Sequence, residues 1–582
     1  MIINMKQKLA LIAFLLGISL FTMGAENTVK LRIVETSDVH GYFFPYDYVE
    51  RKPLQGTLAR VSTYVKRLRQ DYGDRLLLVE NGDILQGQPT CYWSNYVATS
   101  QENIAAQMVN YLNYDAQAVG NHDVETGHAV YDKWISELHC PVLGANIVDE
   151  RTGQPYVKPY TIIERNGARI AIIGMLTPAI PCWLNRQLWS GLEFQEMVSC
   201  ARKWVQVVRE KEHADLVLGL FHSGTEGGLT LPGGVEEDAT LRVAREVPGF
   251  DIIFFGHDHR THNEWITNCQ GDSVLTLNPA CWAVNVADAQ VELTFDAEHH
   301  LLKKAITGDV VSVRNEEVDQ LFVASFKQQA DTIDKFVSRR IGRFTTGATT
   351  RDAYFGSSAF IDFIHRVQLE ISGAEVSFNA PLAFDTRIEP GDVTAADMFK
   401  LYRFENQYYV MHLTGREIRD YLEESYSRWV NTMQTPDDHL LLLNPYTQGD
   451  QQRMGFVNYT FNFDSAAGID YEVDVTKPEG QKVHILRMSD GQPFQPEREY
   501  KVVLNSYRGN GGGDLLTKGA GIAKDDIDSR IIYQSQLDLR HYIMQYIEQK
   551  GTVTPQAYGN WRFTPEEWVR PAAERDSLLL FR

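Results

Sequence analysis

AVGNHDVETG (residues 118–127) crowds Asn121, His122, Asp123 and Glu125 onto the end of a short apolar run, DAQAVGN (115–121). A run of this length closed by glycine reads as a buried strand. The same design recurs over residues 31–290. The runs LRIVETSD (31–38), RLLLVENGD (75–83), RIAIIGM (169–175), DLVLGLFHS (215–223) and DIIFFGHDH (251–259) alternate with the helix-patterned segments TLARVSTYVKRLRQ (57–70), NIAAQMVNYL (103–112), MVSCARKWVQVVRE (197–210) and ATLRVAREV (239–247). This alternation predicts an α/β layered domain. Nearly every run ends in Asp, Asn or His, and ligands bind at the carboxyl ends of strands in such sheets, so these ends should converge on one site.

The strand ends supply Asp38 and His40, Asp83, Asn121 and His122, His222, and His257 and His259. Asp-x-His and His-x-His are i, i+2 pairs, so on extended backbone both side chains of a pair leave the same face. Glycines at 41, 82, 120, 224 and 256 stand beside them, as a sharp turn or a close ligand requires. A lone Asp-x-His or Gly-Asn-His would be weak evidence of a metal. Clusters in series, each closing an apolar run, are much stronger. The set suits two ions: Asp38, His40 and His259 for one, Asn121, His222 and His257 for the other, with Asp83 bridging. Imidazole, carboxylate and amide together favour Zn, Mn, Fe or Co over Ca or Mg, without choosing among the four. Two divalent ions against two ligating carboxylates leave a local charge of about +2, and also lower the pKa of bound water.

That local sign matters because the 582-residue chain carries −20, and −22 without the two lysines of its leader. Such a surface repels nucleic-acid polymers and anionic membranes. The leader is the stretch MIINMKQKLALIAFLLGISLFTMGA: Lys6 and Lys8, an apolar run from Leu9 to Met23, then small residues. This is the pattern of a cleaved secretory signal, and the run falls short of the about 20 residues a membrane helix needs. A periplasmic or secreted protein without a membrane anchor is expected. The six cysteines (91, 140, 182, 200, 269 and 281) show no C-x-x-C spacing, and sequence alone cannot pair them.

The series D-x-H, G-D-x-x-x-G, G-N-H-[DE], H and G-H-x-H, in this order, resembles the calcineurin-like metallophosphoesterases. With the leader and a second α/β region, the chain is most similar to the secreted 5′-nucleotidase and 2′,3′-cyclic-nucleotide 2′-phosphodiesterase family. The resemblance implies a four-layer α/β/β/α metallophosphoesterase sandwich followed by a C-terminal α/β nucleotide-binding domain. It divides the chain into a signal peptide (1–25), a phosphoesterase domain (26–312), a linking helical region (313–345) and a nucleotide-binding domain (346–582). It also implies in-line attack on phosphorus by a metal-bound hydroxide, and rotation of the second domain. The family's catalytic dyad falls on His122 and Glu125, Glu standing where Asp is usual. Residue i+3 shares a helical face with i while i+1 does not, so Glu125 rather than Asp123 should orient His122.

For the second half, EVDQLFVASFKQQADTIDKFVSRR (317–340) reads as one long amphipathic helix linking the domains, SSAFIDFIHRVQLEIS (357–372) as a further helix, and NPYTQGDQQRMG (444–455) as turn-rich. The family clamps a nucleobase between two aromatic rings, which here fall on Phe404 in LYRFENQYYV and Tyr507 in NSYRGNGGGD. Stacking contributes about 1–3 kcal/mol per base. Asp514 matches a ribose-binding position and Asn379 a substrate-contacting one. The chain departs from the 5′-nucleotidase branch in lacking its Gly-Gly-Ile-Arg run after Asn379, although Arg387 is near enough in sequence to substitute. NSYRGNGGGD and GIDYEVDVTKPEG (468–480) look more like the 2′,3′-cyclic-nucleotide 2′-phosphodiesterase/3′-nucleotidase branch. The expectation is therefore a dimetal phosphohydrolase acting on nucleotides. A 5′-nucleotidase or UDP-sugar hydrolase is the alternative enzyme, and a periplasmic nucleotide-binding protein without turnover the alternative of another class.

Overall fold

The computed structural model describes residues 27–448 and 451–581; the expected leader lies outside them. The first half contains two six-stranded sheets. One runs in the order Leu301–Ser312, Asn285–Phe295, Asn27–Thr36, Leu76–Glu80, Ala116–Ala118, Val142–Leu143. The other runs Thr261–Thr267, Ser273–Pro279, Ile252–Phe255, Leu216–His222, Ala168–Leu176, Tyr160–Arg165. Ile33, Leu77 and Val79 of the first sheet pack directly on Ile172, Leu218 and Phe254 of the second. These strands are apolar on both faces because each sheet is covered twice. Outside the first sheet lie the helices Leu58–Tyr72 and Ile104–Leu112, and outside the second lie Met197–Glu210 and Thr240–Glu246. The four-layer sandwich is thus present.

Strand direction positions the site. Asn27–Thr36, Leu76–Glu80 and Ala116–Ala118 run parallel, as do Ala168–Leu176, Leu216–His222 and Ile252–Phe255. All six carboxyl ends therefore open at one edge of the sandwich, and the polar clusters follow them.

The expected linking helix is broken in two, Gln320–Ser325 and Lys327–Ser338, with Phe326 between them at φ −109°, ψ 17°. Phe322, Phe326, Ile333 and Val337 keep one helical face across the break and all enter the core outside the first sheet. The second half has a five-stranded sheet ordered Ser465–Ala467, Val376–Asn379, Glu499–Asn505, Gln407–Thr414, Ile531–Asp538, packed by the helices Ala359–Ser372, Gly415–Trp429 and Leu539–Lys550. Ser358 caps the first of these, accepting a hydrogen bond from Ile361 N. The stretch expected to be turn-rich carries the strands Leu443–Gln448 and Gln451–Phe456, paired antiparallel. All six cysteines are free thiols. No helix among the described residues is long and apolar enough to cross a membrane.

Candidate active site

Five of the seven expected ligands sit in left-handed backbone: Asp38 (φ 51°), His40 (49°), Asp83 (58°), His257 (74°) and His259 (58°). Few non-glycine residues adopt this conformation, and those that do concentrate at functional sites. Here it folds each strand end back so that alternate side chains turn inward together.

The inward atoms meet. His259 Nε2 is 3.2 Å from Asp38 Oδ1 and 3.1 Å from His40 Nε2, and His40 Nε2 is 3.8 Å from Asp83 Oδ2. The donor atoms of these four residues all lie within 4.8 Å of one another. On the other side of Asp83, its Oδ2 lies 3.2 Å from His222 Nε2, which is 3.0 Å from Asn121 Oδ1, which in turn is 2.9 Å from His257 Nδ1. Asp83 thus belongs to both groups.

The site fits two cations on its own chemistry. Asp38 Oδ1 is buried with only imidazole nitrogens near it, His259 Nε2 at 3.2 Å and His222 Nε2 at 4.0 Å, and a buried carboxylate oxygen is costly unless something positive faces it. Two imidazole nitrogens 3.1 Å apart cannot both carry a proton. Main-chain carbonyls hold the opposite nitrogens: His40 Nδ1 donates to Gln86 O at 3.1 Å and His222 Nδ1 to Asn81 O at 2.7 Å. That fixes the tautomer and leaves each Nε2 lone pair facing inward. Burial pulls the His222 imidazole down, yet Asp83 and Asp38 outweigh it and raise it to about 10. Burial likewise lowers His259, while Asp38 raises it to about 11. The pocket is built to be filled with positive charge.

His122 and Glu125 meet as expected, Nδ1 to Oε2 at 2.5 Å, on the short helix Asn121–Glu125. The His122 backbone N–H donates to Asp83 Oδ1 at 2.8 Å, so the dyad is anchored to the shared carboxylate. Asp123 does more than sit aside. Fully buried, it accepts from the N–H groups of Gly120, Asp83, Ile84 and Leu85 at 2.8–3.0 Å, and so clamps the loop that presents Asp83. Sequence reasoning missed this because the clamped loop lies about forty residues away.

The site opens into a cleft of about 1350 Å³ whose walls come from both halves: Asn121, His122 and Glu125 on one side, Phe404, Asn505 and Tyr507 on the other. Phe404 and Tyr507 each meet Phe461 edge-on, at 6.5 and 6.2 Å between ring centroids, so Phe461, which carried no motif, forms part of the aromatic wall. Gly512 makes room for Tyr507, since a Cβ there would lie 2.5 Å from its ring. The remaining expected contacts lie elsewhere. Asn379 is buried at the end of its strand with its amide unpartnered, and Asp514 reaches toward Arg428, 3.9 Å away; neither lines the cleft. Arg387 is exposed, pairs with Glu389 at 2.7 Å and does not line the cleft.

A sandwich of this topology with two clusters of His, Asp and Asn sharing one carboxylate defines a dimetal phosphoesterase. Residues 31–261 match the family model for calcineurin-like phosphoesterases, and residues 340–518 the model for the 5′-nucleotidase C-terminal domain. The chain belongs to the metal-dependent phosphoesterases that join these two domains, a family whose catalytic half uses two divalent metal ions. It is 26% identical to a 2′,3′-cyclic-nucleotide 2′-phosphodiesterase/3′-nucleotidase of Haemophilus influenzae, over 93% of this chain and 88% of that one. It is also 26% identical to a trifunctional nucleotide phosphoesterase of Bacillus subtilis, of whose length it spans 39%. It is 24% identical to UshA of Escherichia coli over 68% of this chain and 76% of that one. A 5′-nucleotidase precursor from Thermus thermophilus shares the fold with a TM-score of 0.62 at 20% identity, covering 92% of this chain and 99% of its own.

Proposed function

We propose that this protein hydrolyses nucleotide phosphoesters outside the cytoplasm as a 2′,3′-cyclic-nucleotide 2′-phosphodiesterase and 3′-nucleotidase. The observation that carries the reading is the cleft, which joins the candidate metal clusters to an aromatic wall on the other half. Asp38, His40, Asp83 and His259 would hold one ion, and Asp83, Asn121, His222 and His257 the other. When bound, such a pair activates water and offsets phosphate charge. The protein's own part is positional. His122, oriented by Glu125, faces the leaving oxygen and either protonates it or stabilises the charge developing on phosphate. Phe404 and Tyr507 hold the base.

Three observations favour the cyclic and 3′ reading over a 5′-nucleotidase or UDP-sugar hydrolase: the absence of the Gly-Gly-Ile-Arg run, the outward position of Arg387, and the names of relatives aligned over nearly the whole chain. A leader over residues 1–25 fits action in the periplasm or outside the cell. Purified protein supplied with Mn or Zn should release phosphate from 3′-AMP and open 2′,3′-cyclic AMP. Turnover confined to 5′-AMP or UDP-glucose would move the assignment to the other branch, and no turnover of any of the four would leave a nucleotide-binding protein.

A further inference from the structure

His257 differs from the other two ligand histidines whose outer nitrogen is held by a hydrogen bond of known partner. Those of His40 and His222 rest on main-chain carbonyls, whereas His257 turns Nδ1 to Asn121 and leaves Nε2 3.1 Å from the Glu237 carboxylate. Glu237 comes from a β-hairpin, Gly227–Leu231 paired with Val235–Asp238, inserted between the strands that carry His222 and His257. The hairpin is fixed at several points. The second oxygen of Glu237 accepts from Leu229 N at 2.7 Å, its main-chain carbonyl accepts from Thr177 Oγ1 at 2.8 Å, and Asp238 Oδ1 accepts from Gly224 N at 2.6 Å. The Trp183 ring lies 5.7 Å from that of His257 and helps to shield the contact.

We infer that Glu237 is a positioning residue for the second metal ion: it accepts the Nε2 proton of His257, which selects the tautomer whose Nδ1 lone pair faces Asn121 Oδ1. This rests on the reading of His257 as a metal ligand. A carboxylate behind a ligating imidazole raises its basicity and fixes its ring, and losing such a partner typically weakens metal binding about 10–100-fold. A main-chain carbonyl fixes a ring without adding charge, so His257 would gain a reinforcement that His40 and His222 do not. Gly228 offers an independent handle. At φ +71°, a Cβ there would lie 2.6 Å from Glu237 Oε2, so Gly228→Ala displaces the carboxylate without removing it.

The test is Zn and Mn affinity of the full chain by chelator competition, with ions counted per chain, plus ¹⁵N shifts of the His257 ring in chelated protein at alkaline pH. Glu237→Ala should weaken the second ion about 10–100-fold, spare the first, and abolish the Nε2–H preference of the His257 ring. Gly228→Ala should follow it. Glu237→Gln, with one acceptor oxygen for two donors, should fall between Ala and wild type. Glu237→Ala binding both ions as tightly as wild type, or keeping the ring tautomer, would overturn the inference. So would a third ion in wild type that Glu237→Ala loses, since Glu237 would then itself be a ligand. Fewer than two ions in wild type would instead overturn the metal reading beneath it.

Discussion

Asp83 carries more of the site than any other residue, because one oxygen faces His222 at 3.2 Å and the other accepts the His122 N–H at 2.8 Å. Asp83→Asn should therefore strip metal and turnover together. His122→Ala should lower turnover about 10²–10⁴-fold, the range for a positioned acid or base, with metal content unchanged by elemental analysis. Equal metal loss in both variants would refute the separation of roles. Gly120 gives a test that removes no functional group: a Cβ there would collide with the Asp83 carboxylate. Gly120→Ala is expected to lose metal nearly as Asp83→Asn does, and a fully metallated variant would show that the carboxylate has room to move. Glu125 was legible from its spacing after His122, since both fall on one local helical turn. The clamp made by Asp123 was not, because its donors come from a loop distant in sequence.

At the scale of elements, the strand–helix alternation was readable because both faces of each sheet are covered, leaving continuous apolar runs. The helix Ala359–Ser372 was readable from its pattern, and its Ser358 cap came from the structure. The two helices over Gln320–Ser338 were not separated, because no Gly or Pro marks the break at Phe326 and the buried residues on both sides of it keep one helical period. The helix Ala359–Ser372 also buries a titratable group: His365 bonds Ser377 Oγ at 2.8 Å and Ser465 Oγ at 3.3 Å, and burial pulls its imidazole down to about 3 from an ordinary 6.5. Between those values the unfolded chain binds the extra proton, so the native state loses stability as pH falls from 6.5 toward 3. The slope reaches about 1.4 kcal/mol per pH unit for one proton. Urea melts of His365→Gln across this range should show a shallower fall than wild type; parallel curves would mean that His365 is charged in the native core.

Across the whole molecule, the two halves touch beside the cleft through few polar contacts. Asn185 Nδ2 donates to Gln534 Oε1 at 2.8 Å, and Asn510 Nδ2 to the Trp183 carbonyl at 3.0 Å. Trp183 also packs on His257, so the segment carrying Trp183 and Asn185 couples the metal cluster to the domain that bears the aromatic wall. One such hydrogen bond contributes about 1 kcal/mol, or about a fivefold shift in the balance between arrangements of the halves. Asn185→Ala should raise KM about fivefold with metal content unchanged, Gln534→Ala, which also loses the 3.4 Å contact from Gln187 Nε2, at least as much, and the double variant no more than Gln534→Ala alone. Simply additive effects would show that the pair does not act as one contact.

The inventory of the site and its local order were legible in the chain alone. Which residues end each strand, and that Glu125 rather than Asp123 meets His122, are short-range facts of backbone geometry, whereas the i, i+2 pairs turn inward on left-handed backbone and not on the extended backbone expected. What stands behind and around them comes from segments distant in the chain. Glu237 backs His257 through an inserted hairpin, Phe461 joins the aromatic wall from a separate turn, and Asn379, Asp514 and Arg387 do not line the cleft although they lie in the expected segments. The reason is physical: a side chain's direction at the end of a strand is set by which distant segment packs against it, and no local period encodes that choice.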